Sequence, residues 1–352
     1  MPMKRFALLI MSLGAVLGGC DALEPPGPAP GEGAAASLRL VLQGGPPGSR
    51  AGEADPDAAV HNGCILEFNA AGNLLDYIPF SGGEPPVLEV PRNQLVELFI
   101  VANPTRDLSQ VVSKAAFMEI QSDYAANSPG CLEMTGRYSG TIRSDTTLNV
   151  ALQRCCAKVT VDAMVFKVAS TRYDYVGARL VRGYMEKTPA GCTYVQMAPG
   201  ELINAYSAGA GIGYEASYNS SSVKYTQGDY KVWEYNTPWT VYCYPNASED
   251  PAARNTLAVY YRLDYRVTGI DASTGETVVM HLYNNACVHI CLPAVMPNTI
   301  YELERLTIDG LSSNTVYLGT KGGSEIPECV FRMTDMTSGE YLGEVKGEVR
   351  YD

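Results

Sequence analysis

The sequence predicts an all-β protein built from two β-sandwich domains, and three observations favour this class. Short segments with apolar residues at every second position recur along the chain, as in strands that bury one face. The 352 residues include 23 tyrosines and 34 glycines, and β-branched residues are frequent while long helix-forming runs are rare. A chain of this length also exceeds what one hydrophobic core usually organises, which favours two domains.

Residues 1–19 have the layout of an export signal. Lys4 and Arg5 precede an apolar run that is too short to span a bilayer, and two glycines then lead to Cys20. The order L-G-G-C resembles a bacterial lipobox, in which the cysteine is lipidated and becomes the new N-terminus. We therefore expect an exported protein held at the outer membrane by a lipid on Cys20. An ordinary signal peptide that happens to contain Cys20 is the alternative.

A flexible tether and a first strand follow the signal. Residues 20–36 are rich in Pro, Gly and Ala and cannot build a core. Leu38, Leu40 and Leu42 then fall on one face of a predicted strand. The next loop contains one basic residue, Arg50, among turn formers. This loop is expected to stay solvated because of three acids that follow the arginine: Glu53, Asp55 and Asp57.

One central strand and one short helix are predicted in the rest of the N-terminal half. Residues 95–103 are almost continuously apolar, which is typical of a strand buried on both faces. Residues 109–122 have the strongest helical pattern, because Val112, Ala116 and Ile120 are spaced by four.

The C-terminal half is predicted to form many short strands joined by long surface loops. Its last segment alternates, with Tyr341, Val345, Val349 and Tyr351 on one face and charged residues on the other. Such a strand can close its own sandwich, or it can be donated to the sheet edge of a neighbouring molecule. The predicted domains are residues 37–163 and 164–352.

Composition and motifs argue against several functions. The net charge of −12 argues against a nucleic-acid partner. No hydrolase, nucleotide-binding or metalloprotease motif occurs, and His61, His281 and His289 lack the spacing of metal ligands. The nine cysteines after Cys20 are odd in number, which fits small apolar core residues better than a disulfide framework. We expect a binding protein or a structural protein, with no enzyme activity, no cofactor and no metal site.

Six segments together resemble the fimbrillin family, the lipoprotein precursors of Bacteroidetes type V fimbriae, and they occur in the family's order. Two departures are a cysteine-rich form of the L-x-R-x-x-A-K segment (Leu152, Arg154, Ala157, Lys158) and a C-terminus without the tryptophan common in stalk subunits. The six segments are SLRLVLQGGPPGSR, VHNGCILEFNAAGNLL, LVELFIVANPT, LEMTGRYSG, TTLNVALQRCCAKVTV and PNTIYELERLTIDGL.

The resemblance implies two transthyretin-like β-sandwich domains in tandem and a structural role in a cell-surface fimbria. It also implies that an arginine-specific protease cuts the loop after the first strand. Arg50 matches that position, so the mature chain would begin at Ala51; a solvated surface arginine is the alternative. The first strand, with Leu38, Leu40 and Leu42, would leave with the lipid anchor. A strand from another fimbrial subunit would then fill the vacancy.

Other functions stay open at this point. An uncut, lipidated chain would be a fimbrial anchor, and a tip or accessory subunit would take a ligand on host or bacterial surfaces. A surface glycan-binding lipoprotein is the alternative from a different class, because aromatic faces stack on sugars. Its candidate residues, which packing in a β-core explains better, are Trp233, Trp239, Tyr230, Tyr235, Tyr242 and Tyr244.

Overall fold

The computed structural model describes residues 35–44, 55–169, 173–207, 214–216, 222–250, 252–311 and 328–351. Within these ranges the protein is all-β, as predicted, and its one α-helix is α1 (Lys114–Glu119). The strands are β1 (Ala35–Gln43), β2 (Asn62–Phe68), β3 (Leu74–Ser81), β4 (Leu88–Pro91), β5 (Leu95–Ala102), β6 (Met134–Thr141), β7 (Thr146–Ala151), β8 (Gln153–Arg154), β9 (Ala157–Val161), β10 (Met164–Ala169), β11 (Asp174–Glu186), β12 (Thr188–Pro189), β13 (Leu202–Ile203), β14 (Tyr214–Ala216), β15 (Ser222–Gln227), β16 (Tyr230–Tyr235), β17 (Trp239–Cys243), β18 (Thr256–Ile270), β19 (Thr277–Cys291), β20 (Thr299–Leu303), β21 (Leu306–Leu311), β22 (Glu328–Asp335) and β23 (Tyr341–Tyr351).

Two sheets form the N-terminal sandwich. Strand β1 is the middle strand of a three-stranded sheet, antiparallel to β4 and parallel to β7. The facing sheet has five strands in the order β3-β2-β5-β6-β8. One buried cluster draws its side chains from both sheets, which therefore enclose a common core. Its members include Ala36, Leu38, Leu40, Leu88, Val90, Val150, Ile65, Val96, Leu98, Ile100 and Met134.

The central strand β5 is buried on both faces, as its apolar sequence predicts. Leu98 and Ile100 belong to the core shared with the three-stranded sheet. Phe99 and Val101 point to the opposite face and belong to a second, larger core. Phe117 of α1 covers this second face, with its ring centroid 5.3 Å from that of Phe99. The five-stranded sheet is thus packed between two layers.

Helix α1 confirms the predicted helix but corrects its length and its buried face. It begins after Ser113, whose side chain accepts a hydrogen bond from the Ala116 backbone N–H at 3.2 Å. Val112 lies before the helix and is 74% exposed, and Ala116 is exposed as well. Phe117 is instead fully buried. The expected stripe is wrong at Val112 and Ala116, because the helix begins after Val112 and turns Phe117 inward; Ile120, just after the helix, is partly buried against the core.

The C-terminal half contains a four-stranded sheet, in the order β15-β16-β10-β21, and a nine-stranded sheet. The nine strands are ordered β14-β11-β18-β19-β23-β22-β20-β9-β17. Strand β9 precedes the boundary predicted at residue 163, yet it pairs with β17 and β20. Strand pairing therefore groups β9 with the C-terminal strands, and the division into 37–163 and 164–352 stays a prediction.

The cysteines act as core residues, as predicted. All nine cysteines of the described part are unpaired, and eight of them are buried. Within the same ranges, no helix is long and apolar enough to cross a membrane.

Candidate functional site

Strand β1 has the buried face that its sequence predicts. Leu38 and Leu40 are 0% and 3% exposed, and Leu42 is partly buried against the same core. The backbone of β1 pairs with β4 from Ala35 to Leu38 and with β7 from Leu38 to Gln43. Because β4 pairs with the first half of β1 and β7 with the second half, removal of β1 would leave a groove bordered by β4 at one end and by β7 at the other.

Apolar side chains line this groove. At about 1.5–3 kcal/mol for each fully buried leucine, Leu38 and Leu40 together contribute roughly 3–6 kcal/mol. The unpaired N–H and C=O groups of β4 and β7 would add to the cost of leaving the groove empty. Removal of β1 would uncover the side chains that line this groove: Leu88, Val90, Val150, Ile65, Leu98 and Ile100.

Gly44, directly after β1, lies close in space to Ala58, where the described chain has resumed. Arg50 and Ala51 lie outside the described residues, as does Cys20. A Cβ atom on Gly44 would lie 2.7 Å from the carbonyl oxygen of Ala58, so only glycine fits this close approach of the two backbone segments. The residues between Gly44 and Ala58 span the predicted cleavage position.

The chain resumes after the loop in a short 3₁₀ turn over Pro56–Ala58. Asp55 caps this turn, because its side chain accepts a hydrogen bond from the Asp57 N–H at 3.1 Å. Pro56 suits the first position of the turn because its missing N–H needs no partner there. The local sequence D-P-D therefore explains the turn.

Asp57 fixes this turn to the body of the protein. Its buried carboxylate accepts hydrogen bonds from Lys158 Nζ at 2.9 Å and from the Tyr242 hydroxyl at 2.7 Å. The Gly130 N–H donates to the other carboxylate oxygen at 3.1 Å. Burial acts to raise the pKa of Asp57, but the hydrogen bonds from Lys158 and Tyr242 outweigh it and lower the pKa below its ordinary value.

Arg154 holds the same turn from a second side. Its fully buried guanidinium donates from Nη2 to the Asp55 carboxylate at 2.9 Å and from Nε to the Asp57 carbonyl oxygen at 2.9 Å. A buried arginine needs such partners because an unpaired charge in the core is strongly destabilising. These residues together form the Asp57 clamp: Asp55, Asp57, Arg154, Lys158 and Tyr242.

The clamp gives a physical role to the L-x-R-x-x-A-K segment. Arg154 and Lys158, two residues of that segment, are the cations that bind the chain just after the loop. The expectation that the acids only keep the loop solvated is wrong for Asp57, which is 2% exposed. Spacing alone could not reveal this contact, since Tyr242 lies 185 residues from Asp57.

The C-terminal strand β23 lies inside the nine-stranded sheet, paired with β19 on one side and β22 on the other. Val349 is 5% exposed and Val345 is partly buried, but Tyr341 is 52% exposed. The register shifts between Gly343 and Tyr341, so the predicted single face is wrong at Tyr341. For Tyr351 the backbone pairing with Val288 is described.

The aromatic residues considered for glycan binding are largely core residues. Trp233 and Trp239 are 2% and 4% exposed, so neither offers a ring face to a sugar. Tyr230 is the most exposed of the group at 36%, whereas the others are buried: Tyr235, Tyr242 and Tyr244. In the described ranges, no group of three or more His, Cys, Asp or Glu side chains could hold a metal ion.

Comparisons with known proteins identify the fold. No protein-family model matches the chain, and no curated protein matches it. Among solved structures, a candidate cell adhesion protein from Bacteroides eggerthii is 14% identical, with a TM-score of 0.53 over 91% of this chain and 96% of that chain. This chain therefore shares the fold of that protein, and the prediction of an all-β sandwich fold is confirmed.

Two fimbrial proteins from Porphyromonas gingivalis are also similar in structure. The fimbrilin FimA is 12% identical, with a TM-score of 0.47 over 77% of this chain and 90% of that chain. The fimbrial anchor protein Mfa2 is 10% identical, with a TM-score of 0.35 over 89% of this chain and 100% of that chain. Both scores lie below 0.5, so the assignment of the fold depends on the Bacteroides eggerthii protein.

Proposed function

We propose that the protein is a structural subunit of a cell-surface fimbria, assembled by donor-strand exchange after cleavage at Arg50. One observation carries the proposal: β1 is the middle strand of its sheet and carries the buried leucines Leu38 and Leu40. A cut before Ala51 would separate this strand from the body. The lipid on Cys20 would hold the precursor at the outer membrane until an arginine-specific protease acts.

The Asp57 clamp supports the proposal that β1 leaves the body while the segment after the cut stays attached to it. Residues before Arg50 are held to the body by strand pairing and by the leucines of β1. The residues just after Ala51 are held by the ion pairs of Asp55 with Arg154 and of Asp57 with Lys158. Cleavage would therefore remove the covalent link between β1 and the body, so that a donor strand can displace β1, and leave the new N-terminal segment fixed to the body.

The vacated groove requires a replacement strand, and β23 of a neighbouring subunit is the proposed donor. In the single chain β23 pairs with β19 and β22, so it is docked before assembly and has to leave this sheet to be donated. Val345 and Val349 would then enter the positions that leucines of β1 had occupied.

The first test is mass spectrometry of fimbrial material shed from cells that express this chain. We expect an N-terminus at Ala51 in the shed protein, and loss of shed material when Arg50→Ala blocks the cut. A chain that stays uncut and lipidated on Cys20 at the cell surface would contradict the proposal and identify an anchor instead.

A second test isolates the strand exchange. A fluorescent peptide covering residues 341–351 is added to the uncut chain and to the chain cut after Arg50. We expect anisotropy to rise only with the cut chain, because only there is β1 no longer covalently linked to the body and open to displacement by the peptide. The control peptide carries Val345→Asp and Val349→Asp and should not bind. Equal binding of both peptides, or binding to the uncut chain, would contradict donor-strand exchange.

A further inference from the structure

The hairpin of β18 and β19 has an open strand edge. The two strands pair along their whole length in an unbroken register, from Thr256 with Cys291 to Ile270 with Thr277. On its other side β19 pairs with β23 only over Val288–Cys291. Residues 277–287 therefore have no strand partner on that side within the described part of the chain. We call this segment the β19 edge.

The β19 edge has none of the features that protect such edges. Natural edge strands are usually interrupted by lysine, proline or a bulge, because unpaired N–H and C=O groups otherwise invite another strand. The β19 edge has no proline, no bulge and no lysine, arginine, aspartate or glutamate. Its exposed apolar side chains are Val278, Val279, Met280, Leu282 and Tyr283, each 40% to 57% exposed.

We propose that the β19 edge is an interface that pairs with the β19 edge of a second copy of this chain. The net charge of −12 makes two copies repel over most of their surfaces. The β19 edge carries no acid, so here two copies can approach without contact between like charges. An uncharged apolar strand is also complementary to itself when a twofold axis makes the pairing antiparallel.

Full overlap of the two edges fixes their register. The middle of residues 277–287 is Leu282, which then lies opposite the Leu282 of the second copy. On the same face Met280 is opposite Asn284, and Val278 is opposite Ala286. The apolar strips of the two hairpins become continuous, and the two nine-stranded sheets join into one. This contact is distinct from the groove of β1 and does not depend on cleavage.

The test is sedimentation velocity on the chain from Asp21 onward, which lacks the signal. It carries Arg50→Ala so that the proposed fimbrial assembly cannot contribute. We expect a dimer to form as the protein concentration is raised to roughly 100 μM, a range typical of the dissociation constant of a weak interface. Leu282→Lys should give a monomer, because two lysines meet at the twofold axis, and Leu282→Glu should give a monomer for the same reason.

An equimolar mixture of Leu282→Lys and Leu282→Glu should recover the dimer. Leu202→Lys is the matched control, because Leu202 is also a leucine of similar exposure, 38%, and lies on β13 in a separate two-stranded sheet; this variant should stay dimeric. Unchanged circular dichroism establishes that each variant is folded. A monomeric parent chain would overturn the proposal and leave the β19 edge to a different chain. Dimers that persist in Leu282→Lys would overturn it as well.

Discussion

Substitution of Leu38 by alanine should destabilise the uncut precursor but not the assembled fimbria. Leu38 lies on β1 and is 0% exposed. Truncation of a fully buried leucine costs about 2–5 kcal/mol, from lost apolar burial and from the cavity that remains. We expect the free energy of unfolding of the uncut chain to fall by this amount. The same substitution should not change the stability of fimbriae, because β1 has left them.

Leu98→Ala is the matched control for this prediction. Leu98 lies on β5, is 0% exposed and belongs to the same core as Leu38, but it stays in the protein after cleavage. It should destabilise both the uncut chain and the fimbria.

Urea unfolding followed by circular dichroism measures the uncut chains, and heat dissociation of fimbriae in detergent measures the assembled form. If Leu38→Ala weakens fimbriae as much as Leu98→Ala does, β1 has been retained and the reasoning fails.

Three further predictions test the clamp, a buried acid and the aromatic core. Asp57→Asn removes the charge that faces Lys158 and should cost about 1–3 kcal/mol, with faster hydrogen exchange in residues 55–60; unchanged exchange there would contradict the clamp. Burial raises the pKa of Glu133 to about 7 from 4.5, so its stabilising effect is complete below pH 4.5 and is lost as the pH rises through 7. Glu133→Gln should abolish this loss, on the order of 3 kcal/mol, in urea titrations at several pH values, and an unchanged pH dependence would refute it. Trp233→Ala should lower stability by about 3–5 kcal/mol because the ring is buried, and an unchanged melting temperature would contradict its core position.

Local patterns predicted the strands that bury one or both faces. The alternation of Leu38, Leu40 and Leu42 identified β1, and the apolar run over residues 95–103 identified β5 as a central strand. These predictions succeed because the direction of a side chain in a strand depends only on its position along the chain. The spacing of four residues wrongly predicted a buried helix face at Val112 and Ala116, because periodicity alone does not indicate where a helix begins.

Contacts between distant segments could not be predicted in this way. Asp57 meets Lys158 and Tyr242 across separations of 101 and 185 residues, and only the folded chain brings them together. The exposed position of Tyr341 depends on a shift of register against β22, which the alternation of β23 does not reveal. The open edge of β19 likewise follows from where β23 stops pairing with it, which is a property of the sheet.

Digestion of the purified chain with an arginine-specific protease tests the central claim most directly. The chain with Arg50 and the Arg50→Ala variant are followed in parallel by intact mass and electron microscopy. We predict a cut before Ala51, loss of the fragment that carries β1, and filaments that form only from the cut chain. A chain that is cut at Arg50 and sheds β1 but forms no filaments, or filaments that form equally well from Arg50→Ala, would contradict the account.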